Sequence, residues 1–87
     1  MLEVCKYKKK PIVIEAIQFT GENTAIVDNF IGDFPHKILP ENGIIIITTL
    51  EGEHIARIGD FVIKGAYGEF YPCKPDIFLS TYDIVEL

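Results

Sequence analysis

The run Asn42-Gly43-Ile44-Ile45-Ile46-Ile47-Thr48-Thr49-Leu50-Glu51-Gly52-Glu53-His54-Ile55-Ala56-Arg57-Ile58 decides how the chain folds. Asn-Gly is a strong turn signal. It launches a stretch dominated by β-branched side chains, which suit a pleated surface and lose χ1 freedom in a helix. Successive side chains of a strand point to opposite faces, so the consecutive isoleucines Ile44 to Ile47 load both faces with apolar surface and predict a strand covered on both sides. Glu51-Gly52 then supplies a two-residue turn into Glu53 to Ile58, where polar His54 and Arg57 flank Ile55 in partial alternation. A hairpin in the middle of the chain makes antiparallel pairing its organising principle.

Upstream, Ile12 to Phe19 reads as the first strand, ending at the turn residues Thr20 and Gly21. Apolar residues fall on both of its faces, and Glu15 needs solvent or a partner. The period then changes. Ile26, Val27, Phe30, Ile31 and Phe34 recur at the spacing of an amphipathic helix, with Asn23 or Thr24 placed to cap its start and Gly32 to end it. Asp28, Asn29 and Asp33 fall on its solvent side. Pro35 and Pro40 bracket His36 to Leu39, which suits a sheet edge because proline cannot donate to a ladder.

Downstream, Gly59-Asp60 turns into a strand at Phe61 to Lys64, and Gly65 to Gly68 turns into a short strand at Glu69 to Tyr71, which Pro72 and Pro75 are expected to stop. Pro75 fits a first helical turn and Asp76 its dipole, so Pro75 to Thr81 is read as a short C-terminal helix. Asp83 to Leu87 alternates again and is assigned as a last strand. The fold class is α+β: a small single domain spanning residues 1–87, with a mostly antiparallel curled sheet of about five to six strands, one amphipathic helix and a short C-terminal helical turn.

Size and composition bound the function. An 87-residue chain holds one core and no deep multi-domain cleft, which excludes a large enzyme. With 48% hydrophobic and 24% charged residues it is not a disordered chain. The first eleven residues hold Lys6, Lys8, Lys9 and Lys10 against Glu3, a net +3, so the remaining chain carries −8 of the overall −5. A body that acidic repels phosphate backbones, and nucleic acid is disfavoured as a partner. No run approaches the ~18 apolar residues that span a bilayer, so no membrane partner is expected. No apolar leader precedes the first strand, and the expected location is the cytoplasm, where Cys5 and Cys73 stay as thiols.

The signatures of nucleophilic, phosphate-binding and metalloprotease chemistry are missing: there is no G-x-S-x-G, no G-x-x-x-x-G-K-[ST], no G-x-G-x-x-G and no H-E-x-x-H. Cys5, His36, His54 and Cys73 lack the local spacing of zinc ligands, so neither a metal nor a cofactor is expected. The densest group of chemically capable side chains is Gly68 to Phe78. Cys73 precedes Lys74 and a helix start, both of which favour a thiolate, but no histidine lies at dyad spacing. Cys73 is therefore a weak nucleophile candidate. Glu69, Tyr71, Cys73, Lys74, Asp76 and Tyr82 instead form a candidate binding surface, a polar rim around aromatic rings.

Two blocks carry a resemblance. Lys9-Lys10-Pro11-Ile12-Val13-Ile14-Glu15-Ala16-Ile17-Gln18-Phe19, together with Gly59-Asp60-Phe61-Val62-Ile63-Lys64-Gly65 and Gly68-Glu69-Phe70-Tyr71-Pro72-Cys73-Lys74-Pro75-Asp76-Ile77-Phe78 through Thr81-Tyr82, resemble a family of small, largely uncharacterised phage and prophage proteins. The chain departs from that pattern at Phe19, where the family has tryptophan, at Phe61, where it has tyrosine or tryptophan, and at Ile58, where it has proline. The resemblance implies a phage-encoded protein of the bacterial host cytoplasm and implies no reaction. The function expected is non-enzymatic binding of a host protein or a small nucleotide-like ligand, to counter host defence or alter host metabolism. The alternatives are a small Cys73-dependent enzyme and a virion or assembly accessory protein. A homo-oligomer is expected as well, because so small a core gains by burying more surface.

Overall fold

A computed structural model describes residues 4–85. Its elements are β1 (Glu15–Gln18), α1 (Thr24–Ile31), β2 (His36–Leu39), a 3-10 turn (Pro40–Asn42), β3 (Ile44–Thr49), β4 (Gly52–Arg57), β5 (Phe61–Lys64), β6 (Phe70–Cys73) and α2 (Pro75–Thr81). Among the described residues the strands form two antiparallel three-stranded sheets rather than one curled sheet, in the orders β1-β5-β6 and β2-β3-β4. The fold is α+β, in a single small domain. β6 packs across β3 and β4 without pairing to them, so the sheets lie face to face at that point.

The isoleucine run is the central strand of its sheet. Ile45 and Ile47 are fully buried, opposite Ala56 and His54 of β4, whereas Ile44 and Ile46 on the other face are only half-buried. The expectation that both faces are covered thus holds for one. The hairpin turn also sits one position earlier than its sequence suggests. Thr49 pairs with Gly52, so Leu50 and Glu51 are the loop residues and Gly52, at φ +115°, opens β4. Pairings shift by two, which keeps every side chain on its expected face.

β2 lies at a sheet edge, as the flanking prolines require. β6 is the edge strand of the other sheet and contains Pro72, which was expected to end it. The Gly65 N–H donates to the Glu69 carbonyl at 2.7 Å. Hydrogen-bonded and non-bonded pairs alternate along an antiparallel ladder. Pro72, opposite Val62, therefore sits at a non-bonded pair, where its missing N–H faces the open edge and breaks nothing.

β1 is shorter than the Ile12 to Phe19 run. Its partner β5 ends at Lys64, opposite Glu15, and Gly65 then turns away, so Ile12 and Val13 have no strand to pair with and are exposed. Asp83 to Val85 form no strand, and the remainder of the expected last strand lies outside the described residues. Ile26 likewise falls outside the buried stripe of α1 at 62% exposure, since the helix turns only Val27 and Ile31 fully inward.

The core joins the facing sides of both sheets and α1: Phe19, Val27, Ile31, Ile45, Ile47, Ala56, Val62 and Phe70 are buried together. Ile63 is equally buried but does not belong to that cluster. It points to the opposite face of its sheet, beside Phe61 and Tyr71 by alternation and register. There α2 supplies cover, with Phe78 stacked on Phe61 at 3.9 Å between ring centroids and 8° between planes, and Tyr82 continuing the row at 5.0 Å. The sheet β1-β5-β6 is therefore packed on both faces.

Candidate functional site

A cleft of about 630 Å³ opens between the tip of the β3–β4 hairpin and β6. The hairpin contributes Thr49, Leu50, Glu51 and His54, the β5–β6 turn and β6 contribute Tyr67, Glu69, Phe70, Tyr71 and Pro72, and Phe34, from the connection between α1 and β2 rather than the helix that its spacing had suggested, completes the wall. Phe34 and Phe70 are held by mutual ring contact at 5.4 Å, and Phe30 meets Phe70 edge-on at the same spacing. This packing gives the cleft a rigid aromatic floor. The rim is different: Leu50 and Tyr67 are almost wholly exposed, at 108% and 93%. Large apolar groups left in water at the mouth of an aromatic cleft are the signature of a contact surface.

Glu69 is fixed in place. Its carboxylate accepts the Tyr67 N–H at 2.9 Å and lies over Gly65, where a Cβ would collide with it. Gly65 has no positive φ, so a side chain there would act by displacing the Glu69 carboxylate, while Gly68 at φ +82° is required for conformation. Tyr71 borders the cleft, and burial, followed by the neighbouring Tyr82 phenol and the Glu69 carboxylate, pushes its pKa up to about 12. It is thus a neutral hydrogen-bonding phenol at any physiological pH. Apart from its two tyrosines, the ionisable lining consists of Glu51, Glu69 and His54, a balance that repels phosphate and suits a basic or apolar guest.

The other expected site residues lie elsewhere. Lys74 immediately precedes α2, and its side chain extends to Asp60, Nζ to Oδ2 3.2 Å. Asp60 is buried, and the same oxygen accepts the Arg57 N–H at 2.9 Å, so this ion pair fastens the β4–β5 turn to the β6–α2 junction. Asp76 is exposed in the first turn of α2. Tyr82 lines a separate groove of about 240 Å³ with Lys9, Lys10, Pro11, Ile12 and Thr81, and the Lys9 ammonium lies 5.6 Å from its ring centroid.

Cys73 lacks the expected activation. Burial first, then the carboxylates of Asp60 and Asp76, push its thiol pKa up, and the Lys74 ammonium is turned onto Asp60. The Sγ instead faces the Lys74 carbonyl at 3.6 Å. Of the six residues of the expected rim, Glu69 and Tyr71 border the cleft, Cys73, Lys74 and Asp76 lie at the structural junction, and Tyr82 lines the groove while its phenol stays beside that of Tyr71. Leu50 and His54 were not among the expected site residues. No signal in the sequence marks them, because the turn read at Glu51-Gly52 leaves Leu50 inside the strand, and only the pairing of Thr49 with Gly52 puts that leucine at the hairpin tip. No protein-family model, curated protein or solved structure matches the chain.

Proposed function

We propose that this is a phage-encoded, non-enzymatic binding protein of the bacterial host cytoplasm that engages a host protein through the cleft between the β3–β4 hairpin and β6. The observation that carries the reading is the cleft itself: an aromatic floor at Phe34 and Phe70, exposed Leu50 and Tyr67 at the rim, and carboxylates at Glu51 and Glu69. Such a lining accepts an apolar or cationic side chain of a partner, and the acidic body steers toward basic surfaces of the kind that normally hold nucleic acid. A nucleotide-like ligand finds rings to stack on but no cation in the lining to meet its phosphates. A Cys73-dependent reaction is disfavoured by a thiol that burial and the Asp60 and Asp76 carboxylates hold in the protonated form.

The test is affinity capture from bacterial lysate with the wild-type chain, Leu50→Asp and His54→Ala. Both side chains are exposed, so the variants keep the fold. A host protein retained by the wild type and lost from Leu50→Asp is the expected result. Identical captures by wild type and Leu50→Asp, or none by either, overturn the reading; retention of a phosphate-bearing small molecule instead would reassign the cleft to that ligand.

A further inference from the structure

The register of β2-β3-β4 divides that sheet into two faces. One sends Ile38, Ile45, Ile47 and Ala56 into the core. The other presents Leu39, Ile44, Ile46 and Ile55 outward, with Ile55 at 42% exposure and the rest only half-buried. This is a contiguous aliphatic patch on adjacent strands, on the face that the isoleucine run leaves uncovered. Its charges are ordered. Along β4 the residues on this face are Glu53, Ile55 and Arg57, one acid and one base about 7 Å to either side of the apolar centre.

That arrangement is its own complement. A two-fold axis lying in the interface and crossing the strands at Ile46 and Ile55 lays Ile55 on its counterpart and places Glu53 of each protomer over Arg57 of the other. Isologous contacts require such reciprocity. Lys37, beside Ile46 on the edge strand β2, also falls near the axis, where its long stem carries the ammonium outward to water. We propose that the outer face of β2-β3-β4 is a homodimer interface, centred on Ile46 and Ile55 and put in register by paired Glu53–Arg57 contacts. Thr49 and His54 lie on the opposite face of this sheet, so dimerisation leaves the cleft open, with two copies per particle.

Sedimentation velocity across the micromolar range tests the proposal, with far-UV circular dichroism confirming that each variant is folded. Wild type is expected to dimerise, Ile55→Glu to sediment as a monomer, and Arg57→Glu to raise the dimer dissociation constant by about tenfold or more. The decisive variant is the double reversal Glu53→Arg/Arg57→Glu, which keeps the net charge and is expected to restore the dimer. A wild type that stays monomeric at high micromolar concentration, an Ile55→Glu protein that still dimerises, or a double reversal no better than Arg57→Glu alone overturns it.

Discussion

Asp60 shows how one side chain can serve two distant segments. Its carboxylate takes the Arg57 N–H inside a turn and the Lys74 ammonium from across the chain, at 2.9 and 3.2 Å. The two contacts differ in weight, since the turn contact lies at a buried acceptor and Lys74 is 56% exposed in its side chain. Asp60→Ala is expected to cost about 2 kcal/mol, from the orphaned Arg57 N–H and the lost pair. Lys74→Met is expected to cost under about 1 kcal/mol, as exposed pairs do. Urea denaturation of the two variants measures the difference; equal losses would place the weight on the ion pair. The sequence marked Gly59-Asp60 as a turn but could not mark Asp60 as an anchor, because the lysine it holds belongs to another element. For the same reason Lys74 looked like an activator of Cys73.

The joint between α1 and β2 carries a charge that depends on pH. Burial opposes protonation of His36, but Nδ1 lies 2.6 Å from the Phe34 carbonyl and Nε2 2.6 Å from the Asp28 carboxylate, two acceptors that only the protonated ring can satisfy at once, and the imidazole pKa is raised above its ordinary 6.5. A raised folded pKa adds stability that is full below the unfolded value and is lost as pH rises through the folded one. The wild type is therefore expected to lose thermal stability on going from pH 6 to above neutrality, and Asp28→Asn to flatten that slope; parallel slopes for the two would exclude this pair as the source. Hydrophobic period and proline placement identified α1, β2 and the β3–β4 hairpin, because those signals are local. They overran β1 and supplied a last strand that the described residues lack, since a strand's length is set by its partner, and a partner is not a local property.

For the molecule as a whole, the cleft was the least readable feature. Its walls come from the α1–β2 connection, the β3–β4 tip and β6, three regions that meet only when the two sheets stack. The aromatic block from Phe70 to Phe78 pointed to the right neighbourhood but supplied only Phe70, Tyr71 and Pro72 of the lining. The two-sheet layout also bears on how the chain acquires its structure. β2-β3-β4 is a meander of neighbouring segments, whereas β1 pairs with β5 only after all of that meander has been looped out. Local contacts close at lower entropic cost than distant ones. The meander is therefore expected to supply the folding nucleus and β1 to add after the barrier. In stopped-flow chevrons, Ile45→Val should chiefly slow folding, while Ile17→Ala should chiefly speed unfolding; the reverse pattern would assign the nucleus to β1-β5-β6. Because β5 and β6 follow the meander in the chain, β1 leaves the ribosome with no partner to pair with, and its apolar residues wait until β5 has emerged.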